Sequence, residues 1–157
     1  MTGGARARGH GRRLRRWIAE RRVLLGFTHR REKDMANIDS GLKEMMEIDG
    51  AMGAAVVDYS SGMALGTLSS TNSFDLNIAA AGNTEVVRAK MRTVEQLGLN
   101  EAVEDILITL SSQYHVIRPL TSRKGQGLFL YLALDRGRAN LALSRHRLKV
   151  IDDELEV

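Results

Sequence analysis

Histidine is the first side chain to consider as a source of chemistry, because imidazole titrates near neutral pH and is the commonest metal ligand. The chain has four histidines, and no two of them have the spacing of a paired metal site; they are His10, His29, His115 and His146. Cysteine is absent, which excludes a thiolate nucleophile, a disulfide and a cysteine-ligated zinc site. We expect the histidines to be solvated or satisfied by ordinary hydrogen bonds.

Serine and carboxylate clusters are the remaining candidates for catalysis. Ser60-Ser61-Gly62 is typical of a turn, and the chain contains no Gly-x-Ser-x-Gly motif. Asp152-Asp153-Glu154 lacks the ligand alternation of a calcium loop, and we interpret it as the exposed acidic end of a helix. The glycine motifs that bind nucleotides and dinucleotides are also missing. We therefore predict that the protein is not an enzyme and has no catalytic residue, metal or cofactor.

The positive charge of the chain is concentrated at its beginning. Residues 1–34, here called the leader, contain eleven basic and three acidic residues, a formal charge of +8, whereas the whole chain carries +4. Residues 35–157 therefore carry −4, which argues against a basic cleft across the whole protein. No apolar stretch approaches the roughly 20 residues that span a bilayer, and nothing resembles a secretory signal. We expect a cytoplasmic protein.

The leader has three alternative interpretations. Its glycine- and arginine-rich composition predicts a disordered tail. Apolar residues in the segment 14–27 fall near helical spacing, so a short basic amphipathic helix could instead bind an anionic membrane or nucleic acid. The abrupt change of composition at Met35 suggests a third hypothesis, in which the native protein begins there and the leader is not part of it. We expect a disordered leader (1–34) followed by one domain (35–157).

The apolar pattern of residues 35–157 predicts eight elements. Stripes of helical period predict helices over 38–48, over 74–97 and from about 140 onward. Short apolar or alternating runs predict strands at 51–58, 63–68, 103–110, 114–120 and 127–135. Ser70-Thr-Asn-Ser73 offers several possible caps for the second helix, of which Asn72 followed by Asp75 resembles a capping box in spacing, and we place the end of this helix at Gly98. The order is therefore α-β-β-α-β-β-β-α.

This order predicts an α/β (α+β) fold with a five-stranded antiparallel sheet and helices packed on it, because the links between strands are short enough for hairpins. The two most apolar strands, 51–58 and 127–135, should be adjacent at the centre of the sheet. Three helices cannot easily cover both faces of five strands. We therefore expect one face or one edge to be closed by a second copy of the chain.

Three segments, taken in order, resemble the roadblock/dynein light-chain family. The first is the hairpin Gly50-Ala-Met-Gly-Ala-Ala-Val-Val-Asp-Tyr-Ser-Ser-Gly62. The second is Leu128-Phe-Leu-Tyr-Leu-Ala-Leu-Asp135. The third, Ala139-Asn-Leu-Ala-Leu-Ser-Arg145, is similar to the family's Ala-Asn-Leu-Ala-Leu-Ala-Arg, with Ser144 in place of alanine. The resemblance covers about residues 36–155 and excludes the leader.

The resemblance implies a roadblock/profilin-like fold and a homodimer. In such a dimer the middle helix (74–97) and the strand after it (103–111) pair across a two-fold axis and join two sheets into one of ten strands. The residues implied for the dimer interface are Val87, Met91, Val94, Ile106 and Ile108.

The resemblance also implies a function in signalling. Bacterial members of the family resemble regulators or scaffolds of small Ras-like GTPases, and some accelerate GTP hydrolysis without supplying a catalytic side chain. In such members the GTPase docks on the paired middle helices, and the resemblance implies by position that the partner-binding residues here are Ala79, Ala80, Asn83 and Val86.

Two other classes of function stay open from the residues alone. A PAS- or GAF-like sensory module has a similar size and would hold a small molecule in its apolar interior. Alternatively, the protein could act through its leader on a membrane or on nucleic acid. A copurifying metabolite would favour the first alternative, and binding that is lost on removal of residues 1–34 would favour the second.

Overall fold

The computed structural model describes residues 10–72, 75–122, 125–155 and 157; in the first helix, side chains are described at positions 16, 19 and 23 and from 25 onward. The described residues divide into two compact units, one ending at Met35 and one beginning at Ala36. They form three helices and five strands: α1 (His10–Met46), β1 (Ala51–Asp58), β2 (Met63–Ser69), α2 (Leu76–Gln96), β3 (Ile106–Thr109), β4 (Gln113–Pro119), β5 (Leu128–Asp135) and α3 (Leu141–Glu154).

The unit that ends at Met35 is helical from His10 onward. Disorder was expected for residues 1–34; the structure differs for residues 10–34, and residues 1–9 lie outside its described part. Arginine, leucine and glutamate are good helix formers, and the single proline of the chain is Pro119, so little in this segment opposes a helix. The division of the chain into a leader and a domain stays a prediction.

The sheet has the strand order β2-β1-β5-β4-β3, and every neighbouring pair is antiparallel. β1 and β5 lie at its centre, where Ala55 pairs with Tyr131 and Val57 pairs with Phe129. β2 and β3 are the two edges. The predicted fold class, element order and central strand pair are thus confirmed.

The edge strand β2 is irregular. Val56 pairs with Gly66 whereas Val57 pairs with Ala64, so that Leu65 has no partner in β1. This extra residue is a β-bulge, which locally disrupts the ladder and increases the twist of the strand.

Each face of the sheet carries its own core. On one face, α3 and the end of α1 pack against alternate residues of the central strands; this core includes Ile38, Leu42, Met45, Val56, Leu130, Leu132, Leu148 and Ile151. On the other face, α2 packs against the residues between them; this core includes Ala55, Val57, Leu76, Ala80, Val87, Ile117, Phe129 and Tyr131. Both faces of β1 and β5 are covered, which explains why their sequences are continuously apolar.

Glycines allow α1 to approach its neighbours closely. A Cβ at Gly66 would lie 2.8 Å from Leu42 Cδ1 and 2.9 Å from Ile38 Cγ2, so any larger residue would have to displace these side chains where α1 crosses β2. A Cβ at Gly41 would lie 2.8 Å from Leu155 Cδ1. Gly82 is different, since nothing lies within 4 Å of an added Cβ, and α2 continues through this residue.

α2 begins later than the sequence suggested. Asp75 is the N-terminal cap, and its Oδ1 accepts hydrogen bonds from the backbone N–H groups of Asn77 (2.8 Å) and Ile78 (3.4 Å). The prediction of a cap within residues 70–73 was therefore wrong, and Asp75, taken as the third residue of a capping box, is itself the cap. A carboxylate satisfies the first N–H groups and also favours the positive end of the helix dipole. Gly98 ends the helix as predicted, with a φ of 66°.

Candidate docking surface

The β3 edge is the least covered part of the sheet on the α2 side. α2 packs on β1 and β2 and makes only a minor contact with β4. Ile106, Ile108 and His115 are consequently half-buried. Within the described part of the chain β3 pairs with β4 alone, so its outer N–H and C=O groups face no other strand.

β3 is also shorter than predicted, with four residues (Ile106–Thr109) instead of the expected 103–110. Its last paired residue on one side is Ile106, opposite Ile117. Two residues further along, the ladder would meet Pro119, which has no N–H to donate. The proline therefore accounts for the early end of this strand.

Half-buried residues run along α2 and continue onto β3. We call this group the α2–β3 strip; its members are Ala79, Asn83, Val86, Met91, Val94, Ile106 and Ile108. Most of them pack from outside onto the core between α2 and the sheet. All seven were predicted to bind a partner or a second copy, and the structure places them on one side of the sheet.

The other two predicted residues lie elsewhere. Ala80 and Val87 are 0% exposed and belong to the core between α2 and the sheet. Neither side chain can touch another molecule in this conformation, so both must be removed from the predicted surface. The sequence does not distinguish these two residues from their neighbours, because α2 carries small and apolar residues on more than one of its sides.

The solvent face of α2 carries a residue that sequence reasoning missed. Ile78 is 72% exposed, and the nearby Ala81, Gly82 and Glu85 are exposed as well. The signal for Ile78 was present, since it lies two residues from both Leu76 and Ala80, which puts it on the opposite side of the helix from these core positions. A single exposed apolar side chain is common on protein surfaces and does not by itself mark a contact site.

A polar chain crosses the sheet beneath the strip. His115 Nε2 lies 2.9 Å from Gln113 Oε1, and His115 Nδ1 lies 3.2 Å from the Tyr131 hydroxyl. Because Gln113 Oε1 can only accept, Nε2 carries the hydrogen and Nδ1 accepts from Tyr131. Asn83 of the strip also bonds to the Tyr131 hydroxyl. The expectation of a satisfied histidine agrees with these contacts.

Burial favours the neutral forms of both titratable groups in this hydrogen-bonded network, His115 and Tyr131. Desolvation lowers the pKa of His115 below its usual value. Desolvation likewise raises the pKa of Tyr131 to about 12, although the hydrogen bond with Asn83 acts in the opposite direction. The network therefore remains uncharged at neutral pH and connects α2 to β5 and β4 without a buried charge.

Arg88 fixes α2 on the hairpin between β1 and β2. Its Nε donates to the Tyr59 carbonyl at 2.8 Å and its Nη2 to the Ser60 carbonyl at 2.6 Å. The hairpin turn is itself organised by Asp58, whose carboxylate accepts from the Ser60 and Ser61 hydroxyls. The hydrogen bond from the Ser60 hydroxyl is the main reason that the pKa of Asp58 is lowered. These contacts set the position of the strip relative to the sheet.

The β3 region is anchored near both of its ends. Before the strand, Asp105 forms a two-pronged ion pair with Arg145 of α3, with distances of 2.8 and 2.9 Å. This contact raises the pKa of Arg145. After the strand, Arg136 donates to the Leu110 carbonyl at 3.2 Å and lies 5.4 Å from the centre of the Tyr114 ring. These contacts hold a short edge strand in place, although no other strand in the described part of the chain pairs with its outer side.

The acidic cluster Asp152-Asp153-Glu154 of α3 was interpreted as an exposed helix end, and this is wrong for its first residue. Asp152 is buried, and its carboxylate accepts a hydrogen bond from Arg118 Nε of β4 at 3.0 Å. Thr121 contributes two longer contacts of 3.4 Å, from its backbone N–H and its hydroxyl. Only Asp153 and Glu154 are exposed as expected. The ion pair between Arg118 and Asp152 joins α3 to the sheet on the face opposite the strip, and its role is structural.

A groove of about 460 Å³ adjoins the strip at the C-terminal end of α2. Its lining includes Met91 and Val94 of the strip together with Leu99 and Val103. The uncovered apolar surface therefore extends from the helix into the connection that leads to β3.

The described residues contain neither a cluster of three metal-ligating side chains nor a helix that could span a bilayer. Among them, no group of three or more histidine, aspartate or glutamate side chains could hold a metal ion. None of the helices that the structure describes combines the length and the hydropathy needed to span a bilayer.

Comparison with solved structures identifies the architecture. The chain is similar to MglB of Myxococcus xanthus, with 21% identity, a TM-score of 0.67, and coverage of 77% of this chain and 86% of that one. It is similar to the gliding protein MglB of Thermus thermophilus, with 17% identity, a TM-score of 0.65, and coverage of 78% and 87%. A Roadblock/LC7 domain from Streptomyces avermitilis has 11% identity, a TM-score of 0.60, and coverage of 76% and 91%.

No protein-family model and no curated protein sequence matches the chain. The likeness is therefore one of structure, carried by the antiparallel sheet, its strand order and the helices on its two faces. The chain has the roadblock fold, of the type found in bacterial MglB structures.

Proposed function

We propose that the protein is a non-enzymatic, homodimeric regulator or scaffold of a small Ras-like GTPase. The observation that supports it most is the α2–β3 strip, a half-buried apolar surface that lies beside an unpaired strand edge. Such a surface is expected at an interface between copies, because an open edge and an uncovered apolar face are both stabilised by a partner. The roadblock fold adds a second line of support.

The dimer would form by pairing the two β3 strands across a two-fold axis. Antiparallel pairing of identical strands satisfies their outer N–H and C=O groups and joins two five-stranded sheets. Ile106 and Ile108 would then face either α2 of the second copy or the same two isoleucines of that copy. The two α2 helices would lie side by side above the joined sheet and be fixed there by contacts such as those of Arg88.

The GTPase would dock on the solvent faces of the paired α2 helices. Ile78 is the most exposed large apolar residue of α2 within the described chain, and the small side chains of Ala81 and Gly82 leave room around it. Because the chain offers no catalytic constellation in its sequence, any acceleration of hydrolysis would come from ordering the GTPase's own residues. Since GTP is a cytoplasmic metabolite, the proposal places the protein in the cytoplasm.

The dimer is tested with Ile108→Glu, which places a charge on the strip and at the paired edge. We expect sedimentation to show a monomer near 17.4 kDa for this variant and twice that mass for the original protein. The matched control is Met63→Glu, at an exposed residue (67%) on the opposite edge, which should remain dimeric. A monomeric original protein, or dissociation caused equally by the control, would refute the pairing of β3 strands.

Docking is tested with Ile78→Glu, since the charge lies on an exposed residue and should leave the fold unchanged. We expect the variant to remain dimeric but to lose binding to purified Ras-like GTPases from the same organism, each loaded with GDP or a GTP analogue. Leu143→Glu, at an exposed residue of α3 (51%), is the control. Equal affinity of Ile78→Glu and the original protein for a bound GTPase would refute the docking surface.

A further inference from the structure

The leader contains an apolar segment between two pairs of arginines. The order is Arg21-Arg22, then Val23-Leu-Leu-Gly-Phe27, then Arg30-Arg31 after Thr28 and His29. No acidic residue interrupts the stretch from Arg21 to Arg31. The roadblock fold does not account for this segment, because the residues concerned belong to the unit that ends at Met35.

The structure adds that this segment is part of a helix, α1, and that its described apolar side chains are exposed. Val23 is 61% exposed, Leu25 67% and Phe27 71%. Arg30 and Arg31 are exposed as well. Val23 and Phe27, four residues apart, lie on one side of the helix, and Leu25 lies on the other. Large apolar side chains in water are costly unless another surface covers them, and here basic residues precede and follow them along the chain.

We propose that residues 10–35 bind the surface of an anionic phospholipid bilayer. The apolar side chains would enter the boundary between headgroups and acyl chains, while the arginines would contact lipid phosphates, which accept bidentate guanidinium hydrogen bonds. The long arginine side chains can reach the headgroups even when the helix axis lies deeper, at the level of the first acyl carbons. The leader supplies a charge of +8, whereas the remaining residues carry −4 and would be repelled by the same surface.

The exposed apolar residues favour a lipid surface over a nucleic-acid backbone. Phosphate contacts alone would explain the arginines, but they would leave Val23, Leu25 and Phe27 in water. A bilayer accommodates both groups at once, because long arginine side chains can reach the headgroups from a helix whose apolar side chains enter the boundary with the acyl chains. The inference is independent of dimer formation and of GTPase docking.

Vesicle cosedimentation of the full chain tests the proposal. The original protein should sediment with vesicles that contain phosphatidylserine, much less with phosphatidylcholine alone, and less as salt is raised. Arg30→Gln with Arg31→Gln should weaken the binding about five-fold for each arginine. Leu25→Ser with Phe27→Ser should weaken it on the order of tenfold.

The matched control is Arg147→Gln with Lys149→Gln, which removes two exposed charges from α3 and should leave vesicle binding unchanged. Equal losses in the control and leader variants would refute a role of the leader. Binding to duplex DNA that exceeds vesicle binding, with no effect of Leu25→Ser and Phe27→Ser, would replace the lipid surface by nucleic acid. Indifference to phosphatidylserine would also overturn the proposal.

Discussion

Removing the carboxylate of Asp152 should destabilise the fold more than most surface changes. Asp152→Ala would leave Arg118 without its ion-pair partner, and the two side chains are only 1% and 8% exposed. Breaking a buried pair by removing one member costs about 3–5 kcal/mol, because the remaining charge is buried and uncompensated. The contacts from Thr121 are lost as well, but at 3.4 Å they are long and add little.

This loss would be a large fraction of a typical total stability of about 5–15 kcal/mol. Urea denaturation followed by circular dichroism measures it directly, and the slope with denaturant should stay constant if only stability changes. Asp153→Ala, one residue along and exposed, is the control and should change stability by less than about 0.5 kcal/mol. The pair Arg118→Met with Asp152→Leu should recover most of the loss, since no charge then remains buried.

A cost of less than about 1 kcal/mol for Asp152→Ala, or a cost no larger than that of Asp153→Ala, would refute the buried ion pair as a source of stability. Either result would mean that Asp152 is effectively solvated, as a run of three acidic residues near the end of the chain suggests. Failure of the double variant to recover stability would instead mean that Arg118 contributes through packing.

Two further predictions concern packing and pH. Gly66→Val should destabilise by about 1–3 kcal/mol in urea denaturation, because its side chain would meet Leu42 and Ile38. Gly82→Ala, where the space is open, is the control and should instead stabilise by about 0.5–1 kcal/mol. Unchanged or increased stability of Gly66→Val would contradict the close crossing of α1 and β2. The pKa of His115 is lowered by burial, so the unfolded state takes up a proton first as pH falls below the ordinary value of 6.5. Stability from the neutral ring is present above 6.5 and is lost as pH falls through the folded pKa; His115→Gln should reduce this loss, and identical pH profiles of the denaturation midpoint would show that His115 is not responsible.

Much of the fold could be predicted from local patterns. The runs at 51–58 and 127–135 are continuously apolar because both faces of each strand are covered, and that pattern is visible without knowing what covers them. Gly98 is recognisable as a helix end because few other residues accept its positive φ. Such features depend on a few neighbouring residues, which is why sequence reasoning finds them.

The candidate site was predicted less well because burial depends on distant residues. Ala79 and Ala80 are adjacent and identical, yet one is half-buried and the other wholly buried, and only the orientation of α2 on the sheet decides between them. Asp152 owes its burial to Arg118, 34 residues earlier in the chain. A helix in the leader was given only as an alternative, over 14–27, because composition favours a disordered tail, whereas the individual residues favour the helix that begins at His10.

The bulge in β2 bears on the size of the assembly. In the proposed dimer the two β3 edges would be consumed, and a β2 strand would remain at each end of the joined sheet. Leu65, with no partner in β1, breaks the regular spacing of N–H and C=O groups that an incoming strand must match. Polymerisation through these ends is therefore disfavoured. The dimer can leave β2, which contains no charged residue, exposed to solvent without growing into fibres.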